Sequence, residues 1–204
     1  KISIPPSTSE REAMRFVESI SAKILRKQAQ LQSSKQPNLE LTYDKKIQTL
    51  TFEVSVMASE RANIFFSLNN GFLNIEFPKS ADLTTHNAQK LCWDGIDYFL
   101  KKEAKRILPE RTKQLAQKYG FYFRSVKIQS SKSRWGSCSR TQSINYSKYI
   151  LLLPSHLVDY VILHELCHTK EMNHSEKFWA WMNKVTDNKS LALRTELKKY
   201  HTPD

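Results

Sequence analysis

The sequence predicts an α+β fold, in which a helix and an antiparallel β-meander precede a largely helical second part. Apolar side chains recur at helical spacing in residues 7–33 and again in residues 82–119. Residues 40–78 contain short runs with the composition and alternation of strands, and Asn69-Asn70-Gly71 is a hairpin signal between the last two runs. The change of period along the chain therefore separates a predicted sheet from the helices on either side of it.

The N-terminal helix is expected to begin at a capping box formed by Ser7 and Glu10. A loop follows at residues 33–38, where polar residues and a proline cluster. The strands of the meander are then expected at residues 41–43, 50–54, 64–66 and 72–77. We assign residues 1–80, which contain this helix and the meander, to a first domain packed on the rest of the chain.

Residues 81–204 form the second predicted domain, in which helices alternate with short strands. Its first helix, residues 82–119, is expected to be interrupted near Pro109 and to end before Gly120. Its inward-facing residues are predicted to be Leu91, Ile96, Phe99 and Leu100. The later elements are strands at 125–129 and 143–152, a strongly apolar helix from His156, and helices at about 175–185 and 189–200.

Composition and charge exclude several classes of protein. The 204 residues contain no apolar run near the roughly 18 residues that a membrane-spanning helix needs, so no membrane partner is expected. Four glycines without a GxxxxGK or GxGxxG pattern exclude the common phosphate-binding loops. The first residues lack the pattern of a signal peptide, and three widely spaced cysteines indicate buried thiols rather than disulfides. We therefore expect a cytoplasmic location.

One motif carries recognisable chemistry: His164-Glu165-Leu166-Cys167-His168 has the form HExxH. On a helix the two histidines lie one turn apart on the same face, where they can hold one zinc ion. Glu165 lies beside them and can accept a proton from a water molecule that the metal activates. The preceding residues, 157–163, are apolar nearly all round, so this helix should be buried, and unpaired polar groups would be costly there. The pattern therefore predicts a metal site.

A catalytic zinc ion usually takes three ligands from the protein, so a third ligand is needed. His174 is the first choice, provided that the helix ends soon after His168 and that the chain then reverses, for which Asn173 can adopt the left-handed conformation. The spacing equals that of the metzincin pattern HExxHxxGxxH, although Glu171 stands where that pattern has glycine. Glu176 and Glu196 are the alternative third ligands.

Two further groups of residues are candidates for supporting roles. Tyr160 lies one turn before His164 on the same face, and could donate a hydrogen bond to a ligand or to a developing oxyanion, or simply belong to the core. Residues 81–154 carry 14 Lys and Arg against 5 Asp and Glu, and so hold most of the net charge of +12. This segment could bind nucleic acid or other anions, or form a solvated face. Its candidate contacts are Lys101, Lys102, Lys105, Arg106 and Arg134.

Several segments on either side of HExxH form a wider pattern, namely Trp135-Gly136-Ser137-Cys138, Ile144, Pro154, Asp159-Tyr160-Val161, His164–His168, His174-Ser175 and Phe178-Trp179. By this pattern the second half of the chain resembles the YgjP-like family of predicted zinc metallopeptidases. The resemblance is strongest over about residues 120–185, and the SprT-like proteases look like more distant relatives. It implies a zincin-like fold, with His164, His168 and His174 as the ligands of zinc. The chain departs from the family at Tyr146-Ser147, where the family tends to have Leu-Asn.

Three functions are compatible with these residues. The leading hypothesis is a zinc metallopeptidase with one Zn²⁺ per chain, Glu165 as general base, and a protein or peptide as substrate. The first alternative keeps the metal site but cleaves a phosphorylated small molecule or nucleotide, which the positive charge would attract. The second is a nucleic-acid-associated protease or a zinc-containing binding module. An open coordination position argues against purely structural zinc, which is normally closed by four protein ligands.

Overall fold

The computed structural model describes residues 9, 11–12, 14–16, 18–19, 21 and 40–203. The chain divides into two compact units, residues 1–39 and 40–204. This boundary differs from the predicted domain boundary at residue 80, which stays a prediction. Within the described part of the chain, no helix is long and apolar enough to cross a membrane.

The first unit contains helical residues between positions 11 and 21. The predicted capping pair, Ser7 and Glu10, lies outside the described residues. A reciprocal capping box is present two positions later, at Ser9 and Glu12. The Ser9 backbone N–H donates to the Glu12 carboxylate at 3.0 Å, and the Glu12 N–H donates to the Ser9 hydroxyl at 3.3 Å.

A four-stranded sheet opens the second unit, and its order corrects the predicted meander. The order is β1-β2-β4-β3, and β2 pairs with β4 in parallel, so the sheet is mixed rather than antiparallel. The parallel register places Val54 beside Leu73 and Val56 beside Ile75, and all four side chains are buried. Burial of these two alternating apolar rows explains why β2 lies against β4 instead of β3. The strands are β1 Ile47–Gln48, β2 Glu53–Ser59, β3 Phe65–Asn69 and β4 Phe72–Pro78.

The predicted hairpin between the last two strands is confirmed. β3 pairs antiparallel with β4, and Asn70 and Gly71 occupy the two loop positions with φ of 49° and 80°. The predicted strand at residues 41–43 is wrong, because the first strand begins only at Ile47.

One long helix, α1 (His86–Tyr119), follows this sheet. Thr85 caps its first turn, and Gly120 ends it in the left-handed conformation with φ of 70°, as predicted. The predicted interruption is wrong, because Pro109 lies inside a continuous helix. The proline removes the N–H that would bind the carbonyl of Lys105, but Lys105 is exposed, so water can bind that carbonyl instead.

The buried face of α1 is a stripe with a spacing of four residues, which includes Cys92, Ile96 and Leu100. Leu91 lies off this stripe and is half exposed, contrary to the prediction, and Phe99 is half buried. Gly95 allows α1 to approach the first sheet, because a Cβ at this position would overlap the ring of Phe66.

A three-stranded sheet and three helices complete the unit. The sheet has the order β5-β7-β6, in which β5 is parallel and β6 antiparallel to the central strand. The short edge strand β6 was not predicted, and the second half of the predicted strand 143–152 is a 3₁₀ helix, Lys148–Leu152. The α+β class is confirmed. The elements are β5 Ser125–Gln129, β6 Gly136–Cys138, β7 Ser143–Ser147, α2 Ser155–Cys167, α3 Glu176–Val185 and α4 Ser190–Leu197.

Candidate metal centre

The HExxH residues lie at the C-terminal end of α2. This helix begins after Pro154 and buries most of its residues, as its sequence predicts. Asp159 on its second turn accepts a hydrogen bond from the guanidinium of Arg111 on α1 at 2.5 Å, and Arg111 also donates to the hydroxyl of Ser155 at 2.7 Å. This ion pair fixes α2 against α1, and so fixes the helix that carries His164, Glu165 and His168.

The chain leaves the helix directly after His168, as a third ligand at His174 requires. Residues 168–170 form turns, in which the N–H of Thr169 donates to the carbonyl of Leu166 and the N–H of Lys170 donates to that of Cys167. The Thr169 hydroxyl binds the carbonyl of Leu166 as well, at 2.7 Å. These bonds satisfy carbonyls at the end of α2. Asn173 does not adopt the left-handed conformation, so that expectation is wrong.

Three imidazole Nε2 atoms converge at the end of α2. Nε2 of His164 lies 3.2 Å from Nε2 of His168 and 3.0 Å from Nε2 of His174, and one nitrogen from each ring fits within 4.8 Å of the others. Tetrahedral coordination with Zn–N distances of about 2.0–2.1 Å would place neighbouring nitrogens about 3.3 Å apart. The two separations from His164 match this value, and the third is at most 4.8 Å, so a small adjustment of the His168 and His174 rings would fit zinc.

The alternative carboxylates are not part of this cluster. Oε1 of Glu196 lies 2.8 Å from Nε2 of His156, with which it forms a hydrogen bond or, when the histidine is protonated, an ion pair. Glu176 is an exposed residue at the start of α3. Among the described residues, the structure therefore gathers His174 with the HExxH histidines and leaves both glutamates outside.

The three histidines are held in the neutral form that metal binding requires. Burial, followed by the neighbouring charges of His168, His174 and Arg194, lowers the pKa of His164 to about 3. Burial is also the main cause that lowers the pKa values of His168 and His174. Nδ1 of His168 lies 3.0 Å from the carbonyl of Glu171. Since a carbonyl only accepts, Nδ1 carries the proton and Nε2 presents its lone pair to the cluster.

Glu165, the residue that follows His164 on α2, has a buried carboxyl group. Its side chain is 4% exposed, and Oε2 is buried without a hydrogen-bond partner in the described part of the chain. Burial raises the pKa of Glu165 to about 8, and the charge of Arg134 opposes that shift. Gly136 on β6 makes room for it, because a Cβ at this position would lie 2.6 Å from Oε1 of Glu165.

Phe178 on α3 forms the apolar wall of the cluster. Its ring centroid lies 4.9 Å from that of His164, 4.5 Å from that of His168 and 4.7 Å from that of His174. The ring is fully buried. It thereby fixes the orientation of all three imidazoles and excludes water from one side of them. Only its place in the family motif marked this residue in the sequence.

Tyr160 lies near His164, as predicted. The two ring centroids are 6.2 Å apart, and the Tyr160 hydroxyl is buried without a partner among the described residues. Burial raises the pKa of Tyr160 to about 12, so the hydroxyl keeps its proton and can act as a donor. Its role at the site stays a prediction.

The predicted basic contacts fall into two groups. Arg134 is close enough to Glu165 to influence its pKa. Lys101, Lys102 and Lys105 are exposed on α1, and Arg106 pairs with Glu103 on the same helix at 2.6 Å. No described contact joins these four residues to the histidines, so nucleic-acid binding by residues 81–154 stays a prediction.

Comparison with known proteins identifies the family. The profile described as "YgjP-like, metallopeptidase domain" matches residues 1–200. The chain therefore belongs to the YgjP-like metallopeptidase family, and the predicted family and enzyme class are confirmed. Members of a metallopeptidase family require a metal ion, and the histidine cluster is the group of described residues that could hold it.

Other comparisons yield partial similarity. A search of curated proteins finds no significant match. Two solved structures align with part of the chain: the metallopeptidase zymogens abylysin of Pyrococcus abyssi and jannalysin of Methanocaldococcus jannaschii. Each is 22% identical over an alignment that covers 43% of this chain and 90% of its own, with TM-scores of 0.39 and 0.38, respectively.

The first prediction concerns the histidine cluster. We expect His168→Ala to lose most of the zinc that the wild type retains, because two imidazoles hold the ion poorly. Zinc should raise the melting temperature of the wild type by at least about 5 °C, since a ligand at 100 times its Kd adds about 2.7 kcal/mol. It should not raise that of His168→Ala. His201→Ala is the control, because His201 is exposed and outside the cluster. Full zinc occupancy in His168→Ala would contradict the assignment.

The second prediction concerns pH in the metal-free protein. The pKa of Glu165 rises on folding from 4.5 to about 8, so its protonated form stabilises the fold below pH 4.5, and this contribution is lost as the pH rises through 8. Urea titrations should therefore show the unfolding free energy of the wild type falling relative to Glu165→Gln over this range. The lowered pKa values of the three histidines affect the unfolding free energy as the pH falls below 6.5. Both proteins contain these histidines, so their effect cancels in the comparison. A constant difference would refute the assigned shift.

Proposed function

We propose that this protein hydrolyses peptide bonds with one zinc ion held by His164, His168 and His174 and with Glu165 as the general base. The observation that carries the proposal is the convergence of three imidazole nitrogens at the end of α2, where the residue that follows His164, Glu165, has a buried carboxyl group whose Oε2 has no described partner. When bound, zinc would lower the pKa of a coordinated water and polarise the scissile carbonyl.

The protein's own residues supply the remaining requirements. Glu165 would accept a proton from the attacking water and deliver it to the leaving amine. In the metal-free site burial favours its protonated form, but a divalent cation nearby would favour the carboxylate and so prepare it as a base. Phe178 and the carbonyl of Glu171 hold the imidazoles in position. The Tyr160 hydroxyl is a donor available near His164 for oxygen that gains negative charge.

The decisive experiment is Glu165→Gln, which keeps the shape of the side chain and removes the base. We expect zinc content to be unchanged and peptide hydrolysis to fall by at least about 100-fold in kcat, as for the loss of a general base. Glu176→Gln is the matched control, since that glutamate is exposed and outside the cluster. Undiminished hydrolysis with zinc retained would mean that another group activates the water.

A second variant tests the position of the carboxylate rather than its chemistry. In Gly136→Ala the new Cβ would lie 2.6 Å from Oε1 of Glu165, and β6 is paired with β7, so the carboxylate must move. We expect hydrolysis to fall by about 10- to 100-fold with zinc retained, because a shift of about 1 Å can cost that much. Ser137→Ala, on the same strand, should keep most of the activity. Full activity in Gly136→Ala would show that the position of Glu165 tolerates displacement.

A further inference from the structure

Arg194, on the last helix, lies beside the metal centre although nothing in the sequence marks it. Its guanidinium carbon is 5.1 Å from the centre of the Trp179 ring, and that ring is 6.1 Å from the ring of His174. α4 packs against both α2 and α3, the two helices that frame the histidine cluster. The tryptophan ring thus holds a cation at the His174 side of the site.

The charge of Arg194 acts on the site and is not neutralised there. Burial is the main cause that lowers the pKa values of His164 and His174, and the charge of Arg194 lowers them further. The same charge opposes the burial that raises the pKa of Tyr160. Among the described residues, no carboxylate lies within 4 Å of its guanidinium. The arginines with structural roles differ in this respect, since Arg106 and Arg111 each bind a carboxylate of the fold.

Arg194 is exposed, so water screens its repulsion with a bound cation but leaves its guanidinium accessible to an anionic group of a ligand at the site. Three neutral imidazoles contribute no negative charge to the site. The positive charges of a bound metal ion and of Arg194 together would therefore exceed the single negative charge of Glu165. A guanidinium presents a fork of N–H donors that matches a carboxylate, and contact with an aromatic face leaves the donors at its edge available.

We infer that Arg194 binds a carboxylate of the substrate, so that the site prefers peptides with a carboxylate close to the cleaved bond. This inference rests on the proposed peptidase function and names its substrate class. Two sources supply the same chemistry: the C-terminal carboxylate of a peptide and the side chain of Asp or Glu. Arg194 is then a specificity-determining residue.

The test uses zinc-loaded protein and two pairs of fluorogenic peptides. One pair differs only in a C-terminal carboxylate or carboxamide, and the other only in Asp or Asn beside the cleaved bond. We expect the wild type to favour the charged member of one pair by about 10- to 100-fold in kcat/KM, as for a charge-assisted hydrogen bond. The pair that shows the preference identifies the source of the carboxylate.

In Arg194→Gln the ratio of kcat/KM for the charged peptide to kcat/KM for the neutral peptide should fall close to one, while cleavage of the neutral peptide changes little. Arg194→Lys, which keeps the charge without the fork, should give an intermediate ratio. Lys198→Gln is the matched control for loss of one positive charge on the adjacent turn, and it should keep the wild-type ratio. No preference in the wild type, or an unchanged preference in Arg194→Gln with zinc content and melting temperature intact, would overturn the inference.

Binding provides a readout that does not depend on turnover. Fluorescence anisotropy of the same peptides is compared on zinc-loaded Glu165→Gln and on the double variant Glu165→Gln/Arg194→Gln. We expect the charged peptide to lose about 10-fold or more in affinity with Arg194, and the neutral peptide to lose little. Any contact between the peptide carboxylate and the metal ion contributes equally to binding by the single and the double variant, so it cancels in the comparison. If the wild type cleaves none of the peptides, the proposed function fails, and this comparison still decides the role of Arg194.

Discussion

Two imidazoles and one carboxyl group are largely buried at the end of α2, where the exposed His174 joins them, and their partial desolvation governs the rest of the site. Burial lowers the pKa values of the histidines and raises that of Glu165, so the metal-free centre is electrically close to neutral. The Nδ1 atom of His164 and Oε2 of Glu165 have no described partner. Such groups are costly in an apolar interior. A cation held by the Nε2 atoms would not contact Nδ1 of His164, but its charge would favour the carboxylate of Glu165 and so offset part of the cost.

The surrounding elements hold these side chains in place. The ion pair between Arg111 and Asp159 joins α1 to α2. The hydroxyl of Tyr146, on the central strand β7, meets that of Thr112 on α1 at 3.3 Å, and both residues are buried. Phe178, on α3, packs against all three imidazoles. The site therefore depends on rigid helices and a sheet, and only His174 comes from a connecting segment.

Positive charge surrounds the centre unevenly. Arg134 acts on Glu165, whereas Arg194 acts on His164 and His174. Within the basic segment 81–154, Arg134 acts on the site, whereas Arg106 and Arg111 bind Glu103 and Asp159. The charge at the site therefore depends on where single arginines lie rather than on the total of +12.

Local pattern was sufficient for the parts of the molecule that depend on local geometry. A helix repeats every 3.6 residues, so HExxH alone places His164 and His168 on one face, and left-handed Asn70-Gly71 and Gly120 mark a hairpin and a helix end. The sequence pattern did not predict contacts between segments that are distant in the chain. The parallel β2–β4 register and the contact of Gly136 with Glu165 depend on segments distant in the chain. Arg194 follows His174 by twenty positions on a separate helix, and only the packing of α4 against α2 and α3 brings its charge to the metal centre.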